Sequence, residues 1–219
     1  MPHLSRAEFS GALYHVTARA ADGAPIFDRE DDRGCLLETL AAALRRFDAT
    51  CYAYCVMGNH YHAVVQTWRP NLARLIADVH RRYLGRVHGH GDGAAKFPAA
   101  TFDALLIERN AYLLEACRYV DLNPVRAGLV GAPDDWAWSS YRAHAGLAPC
   151  PVWLNAAALH RMLGSRTPWR DGTARYAQYV AGALASPAAG TIPAAIALIQ
   201  SDTMSTDVEN RGGDTGCGS

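Results

Sequence analysis

Two short stretches of the chain carry side chains whose types and spacing could do chemistry. The first is His60-Tyr61-His62, which opens an apolar run, Ala63-Val64-Val65. On a strand, residues i and i+2 point to the same face. Two imidazoles would then stand side by side, with Tyr61 facing the other way. Neutral imidazole is a common metal ligand, so the pair is either a ready chelate or two structural histidines. The second stretch is Tyr119-Val120-Asp121-Leu122-Asn123. On a helix, positions i and i+4 share a face, so Tyr119 and Asn123 would project together. Asn123 offers a neutral carbonyl oxygen that can complete a metal site, and Tyr119 offers a phenol. A core tyrosine and a helix-terminal asparagine before Pro124 fit the same spacing.

Positioning these groups requires a framework, and its elements can be read in order. Tyr14 to Arg19 alternates and is rich in β-formers, predicting a strand. Asp28 is placed to cap a helix from about Arg29 to Phe47, with Glu30, Asp31 and Asp32 in its first turn and Arg45 and Arg46 in its last. Cys51 to Met57 and His60 to Thr67 predict two strands, with Gly58-Asn59 as the turn between them. Leu72 to about His88 predicts a second helix, and the glycines of 88–93 a loop. Phe102 to Ile107 predicts a fourth strand. A helix follows from about Asn110 to Leu122, stopped by Pro124. The first six elements describe an α+β unit of the ferredoxin-like (RRM-like) kind, an antiparallel sheet with helices on one face.

This organisation divides the chain into a core over 1–132, an aromatic-rich C-terminal helical extension over 133–185 and a tail over 186–219. The extension carries Trp136, Trp138, Tyr141, Trp153, Trp169, Tyr176 and Tyr179, read as short helices that pack against the sheet or extend it. The tail lacks a sustained apolar face and reads as disordered.

Composition bounds the function classes. Hydrophobic residues make up 50% and charged residues 19% of the 219, which excludes a disordered chain, a collagen-like repeat and a coiled coil. No run of about 18 apolar residues occurs, so no membrane span is expected. The polar opening lacks a secretion signal and points to the cytoplasm. Net charge is zero, yet Arg69, Arg74, Arg81, Arg82, Arg86 and Lys96 face only Asp78 and Asp92 in one stretch. That segment is a candidate phosphate-binding surface or a solvated helix face. The six cysteines fit reduced thiols in that compartment. Cys51 and Cys55, on one strand, would both point to one face as small core residues.

The two chemical stretches together, Met57-Gly58-Asn59-His60-Tyr61-His62 followed by Tyr119-Val120-Asp121-Leu122-Asn123-Pro124-Val125-Arg126-Ala127-Gly128-Leu129-Val130, resemble the single-tyrosine HUH transposases. Within that family the sequence is most similar to the REP-associated tyrosine transposases. Gly11 to Arg19 and Trp136-Ala137-Trp138-Ser139-Ser140-Tyr141 resemble that branch as well. The resemblance covers about residues 1–154 and finds no counterpart beyond about Gly182.

The resemblance implies that His60 and His62 are metal ligands, Asn123 supplies the third, and Tyr119 is the nucleophile. A free phenol titrates near 10, so a divalent ion acting as a Lewis acid would assist its attack on phosphorus. The family uses Mg²⁺ or Mn²⁺; two nitrogens and an amide oxygen suit Mn²⁺, Co²⁺ or Zn²⁺ at least as well as Mg²⁺ on softness. The implied substrate is single-stranded DNA beside a hairpin, cleaved to a 5′-phosphotyrosine and a free 3′-hydroxyl and rejoined without ATP. Arg74, Arg81, Arg82, Arg86, Lys96 and Arg126 are the phosphate-contact candidates. Many relatives carry a Gln or a basic residue where Ala99 to Thr101 stand here, which leaves that contact weaker or differently arranged. The family contains both dimers and monomers, so assembly as monomer or homodimer stays open. The alternatives are a catalytically silent hairpin-binding or single-strand-binding protein, and a zinc hydrolase built on His60 and His62.

Overall fold

Tyr14, Val16 and Thr17, residue types that favour extended backbone, lie in the first strand, β1 (Ala12–Arg19), and the rest of the framework follows from it. The computed structural model describes residues 8–20, 25–27, 29–87, 102–107 and 112–185. The expected cap Asp28, the expected loop over 88–93, Lys96, and the tail 186–219 lie outside the described residues. After β1 come α1 (Glu30–Arg46), β2 (Ala49–Val56), β3 (His60–Thr67), α2 (Leu72–Val87), β4 (Asp103–Leu106) and α3 (Leu113–Arg126). Three further α-helices follow, α4 (Tyr141–His144), α5 (Ala156–Met162) and α6 (Thr173–Ala185), with a 3₁₀ turn at Pro133–Asp135 and a π turn at Pro168–Gly172.

The strands form one sheet in the order β2-β3-β1-β4, every pair antiparallel. This is the expected ferredoxin-like arrangement, in which β3 lies between β1 and β2 and helix α1 makes the crossover. Period-2 alternation divides the sheet's side chains between two cores. On one face Tyr14, Val16, Tyr61, Ala63 and Val65 meet Leu36, Leu40 and Leu44 of α1 and Leu75, Ile76, Val79 and Tyr83 of α2. On the other, Leu13, Ala53, Cys55 and Val64 meet Ala116, Cys117 and Val120 of α3 and Tyr176 and Val180 of α6. The two helices of the split unit thus share one face, and α3 covers the opposite one.

Two local expectations are corrected. Cys51 and Cys55 do not share a face: the pairing of β2 with β3 slips between Cys51 and Ala53, and this bulge turns Cys51 into the first core and Cys55 into the second. Nor does Pro124 stop α3, which runs on to Arg126. Proline cannot donate to the carbonyl four residues back, here that of Val120. The Asn123 carboxamide donates there instead, at 3.4 Å, and to the Tyr119 carbonyl at 2.9 Å. Past the cap Ala127 the chain turns at Gly128, whose φ of 67° suits glycine. There Gly128 N–H donates to Val125 O and Leu129 N–H to Pro124 O, the paired bonds of a glycine-terminated helix.

The C-terminal segment covers the β2 edge of the sheet. Val56 N–H donates to Trp138 O, Ser140 N–H to Tyr54 O, and Asn155 N–H to Cys51 O, each at 2.9 Å. The Trp136 indole N–H donates to Val56 O at 3.2 Å. An edge strand with unpaired backbone is a template for unwanted pairing, and these contacts remove it along β2. Among the described residues no helix is long and apolar enough to cross a membrane.

Candidate active site

The hairpin turn Gly58-Asn59 starts β3, and alternation then sends His60 and His62 to the α3 side of the sheet. Their rings lie perpendicular, with centroids 4.9 Å apart. Tyr61 points the other way, its hydroxyl 3.0 Å from His80 Nε2 in the α1–α2 layer. The register of β1 against β3 sets Thr17 opposite His62 and Arg19 opposite His60.

Each imidazole is held by one nitrogen. His60 Nδ1 lies 2.6 Å from Asn59 Oδ1; a carboxamide oxygen only accepts, so Nδ1 carries the proton and Nε2 keeps its lone pair. His62 Nδ1 lies 3.1 Å from both Thr17 Oγ1 and His15 Nε2, which leaves His62 Nε2 as its other nitrogen. Burial, reinforced by the positive charge of Arg19, pulls His60 down to about 4. Burial and then His15, His60 and Arg19 hold His62 well below the usual imidazole range, and burial alone lowers His15 to about 4. All three rings are therefore neutral near pH 7, the form that coordinates metals.

Helix α3 brings its phenol to the same place. The half-buried Tyr119 ring meets His15 and His62 edge-on, with centroid distances of 5.6 and 6.2 Å. Asn123, one turn on, commits its Nδ2 to the Tyr119 and Val120 carbonyls, so Oδ1 is its end left to accept or coordinate. Arg126, a further turn on, sets its guanidinium 4.9 Å above the Tyr119 ring. Among the described residues no three His, Cys, Asp or Glu side chains are grouped to hold a metal. His60, His62 and Asn123 offer two imidazole nitrogens and a carboxamide oxygen, donor types that borderline divalent ions accept.

The other expected phosphate contacts lie elsewhere. Arg74, Arg81, Arg82 and Arg86 are exposed on α2, which packs on the face of the sheet away from Tyr119. Only Arg126 of the described candidates stands at the site. The sequence alone places Asn59 merely in a turn and gives Thr17 no role; the alternation His15-x-Thr17 is visible in it, but the register that sets Thr17 against His62 is not.

A second polar group has no signature in the sequence. Asp121, fully buried on α3, accepts from Ser140 Oγ at 2.5 Å, Tyr176 Oη at 2.7 Å and His144 Nδ1 at 2.9 Å. These partners come from α6, from α4 and from the residue preceding α4. The buried carboxylate thereby ties the helix bearing Tyr119 to the C-terminal helices.

Neither a scan against protein-family models nor a search of curated proteins finds a match. Among solved structures, the chain is similar to a REP-associated tyrosine transposase bound to a REP hairpin, with a TM-score of 0.56 and 16% identity. The similarity covers 68% of this chain and 89% of that one. The chain therefore carries the fold of a REP-associated tyrosine transposase.

Proposed function

We propose that this protein is a metal-dependent transposase-like nuclease that cleaves and rejoins single-stranded DNA beside hairpins, with Tyr119 as the nucleophile. The observation that carries this reading is the convergence of Tyr119 with His62 and His15 from the facing sheet. The fold likeness to a hairpin-bound tyrosine transposase supports it, and so does the fit of His60, His62 and Asn123 to a divalent ion such as Mg²⁺ or Mn²⁺. When bound, that ion supplies Lewis-acid polarisation of the scissile phosphate.

The chain's own residues do the rest. Asn59 fixes the His60 ring with Nε2 unprotonated, and Thr17 and His15 fix the His62 ring. Helix α3 holds the phenol against the sheet, so attack needs little reorganisation. Tyr119 Oη forms a bond to phosphorus as the P–O3′ bond breaks. The phenolic proton is lost to solvent, and the departing 3′ oxygen gains one. The product is a 5′-phosphotyrosine, and the reverse attack by a 3′-hydroxyl joins strands. Arg126 places positive charge beside the nucleophile, where a phosphate gains from it.

The test is a 3′-labelled hairpin oligonucleotide incubated with protein and Mg²⁺ or Mn²⁺, then resolved under denaturing conditions. A covalent adduct forms with the wild type and is lost in Tyr119→Phe; equal attachment in both overturns the reading. His60→Ala abolishes the adduct while hairpin binding persists. Hairpin binding by the wild type with no cleavage in either metal would favour a catalytically silent DNA-binding protein.

A further inference from the structure

The outer surface of α2 carries an organised set of arginines that the proposed chemistry does not use. Asp78 is almost wholly buried, its side chain 3% exposed, yet it is shared by three guanidiniums. Arg82 Nε lies 2.7 Å from Oδ2, Arg46 of α1 reaches Oδ1 at 3.4 Å, and Arg81 also bonds Oδ1. Those arginines remain 43%, 57% and 70% exposed respectively. Three positive charges against one negative leave an excess of two. Each guanidinium has five donors in a rigid fork, so most of them face solvent. Arg74, one turn before Asp78, and Arg86, one turn after Arg82, extend the line. Arg86 bonds the Cys35 side chain and makes a surface pair with Glu38 at 2.8 Å, an exposed ion pair that phosphate can displace at little cost.

What lies between the arginines narrows the ligand. The other exposed positions of the helix are Ala73, Ala77 and Gly85. They supply no aromatic ring for unpaired bases to stack on, as single-strand surfaces do. They offer no bulky apolar side chain to enter a bilayer. A straight row of cations with small residues between them, about 18 Å from Arg74 to Arg86 at 1.5 Å per residue, instead matches the regular phosphates of a double helix. Arginine forks suit phosphate oxygens bidentately.

We propose that this face of α2 docks the duplex stem of a DNA hairpin, with Asp78 fixing Arg46, Arg81 and Arg82 as a phosphate clamp. The stem then lies on the opposite side of the sheet from Tyr119, and unpaired nucleotides lead round to the site. The choice of DNA rests on the function proposed above; the docking surface rests on the arginines.

The experiment measures affinity for a hairpin with a single-stranded 5′ extension, and for the extension alone, between 50 and 200 mM salt. Triple replacement R74Q/R81Q/R82Q lowers hairpin affinity and reduces the slope of log affinity against log salt by about 2.7, at about 0.9 for each phosphate no longer neutralised. Affinity for the extension alone stays as in the wild type. D78N separates organised geometry from bulk charge: it makes the protein more positive, yet hairpin affinity falls. Should D78N fail to fold, R74Q alone carries the test through a slope change of about 0.9.

Unchanged hairpin affinity and slope in the triple variant overturn the proposal, as does an equal loss on the extension alone. Tighter hairpin binding by D78N overturns the clamp. An RNA stem bound through these arginines more tightly than the DNA stem overturns the choice of ligand. Failure of any protein to form the Tyr119 adduct would sink the nuclease reading while leaving the stem measurement intact.

Discussion

Removing a single oxygen tests whether the C-terminal helices hold α3 in place. Tyr176 on α6 is fully buried, and its hydroxyl donates to Asp121 Oδ2 at 2.7 Å. Burial, and then the Asp121 charge, push this phenol well above its usual range, so it remains a protonated donor throughout the working pH. Tyr176→Phe keeps the ring and its packing and deletes only that donor. A hydrogen bond to a charged acceptor contributes about 1.5–3 kcal/mol. Because Asp121 is buried without access to water, a loss near the middle of that range, about 2 kcal/mol, is expected. In a chain of this size that lowers the melting temperature by about 4–8 °C. Denaturant unfolding checks it: the midpoint should fall without a change in slope. Asp121→Asn should cost more, about 3–5 kcal/mol, because it breaks a buried charged network. Tyr176→Phe should then add little on top of it, since the two share one interaction. A Tyr176→Phe protein within about 0.5 kcal/mol of wild type, the scatter of a neutral substitution, would refute the anchoring argument.

Further expected outcomes follow from other contacts. Asn59→Ala frees His60 to take either tautomer, so Tyr119 adduct formation should fall by about 10-fold at low metal and recover with excess Mn²⁺, given that outer-shell partners contribute about 10–100-fold to metal affinity; a loss that no metal concentration restores would point to misfolding of the hairpin instead. At Gly172 a Cβ would lie 2.5 Å from the Cβ of His160, a fully buried side chain with no room to retreat. Gly172→Ala should therefore destabilise by about 1–3 kcal/mol, read by thermal unfolding. Burial lowers His80 from 6.5 to about 4, so the unfolded chain takes up this proton first. Its contribution is fully present above pH 6.5 and lost as pH falls toward 4, about 3 kcal/mol over that window. His80→Gln should flatten the stability profile by that amount between pH 6.5 and 4 and leave it unchanged above about 7.

The sequence showed the order of the core elements and the faces of His60, His62 and Tyr61, because strand alternation is local and does not depend on what the strand pairs with. It also showed that Tyr119 and Asn123 share a helix face. What it could not show was anything set by register or by insertion. The slip at Tyr52 reverses Cys51 relative to Cys55, and no residue type there announces a bulge. Pro124 reads as a helix stop until the Asn123 carboxamide is seen serving the carbonyl that the proline leaves. Ser140, His144 and Tyr176 carry no spacing relation to Asp121, so their meeting on one carboxylate was invisible. The arginines of α2 were visible as charge, but the face they occupy depends on how α2 lies on the sheet.

The spacing within α3 has a single geometric cause. At about 100° per residue, Tyr119, Asn123 and Arg126 fall within about 60° of one another, and Asp121 lies about 200° round the helix from Tyr119. One face can therefore meet the imidazoles while the opposite face is fixed by buried hydrogen bonds from Ser140, His144 and Tyr176. Neither face can be adjusted alone. Inserting one residue between Asp121 and Asn123 would keep the anchor and swing Asn123 and Arg126 by about 100° away from the site; inserting one before Tyr119 would carry nucleophile and anchor round together and bury neither correctly. A phenol aimed by a helix needs that helix held against rotation about its own axis, and Asp121 is the residue on α3 placed to resist it.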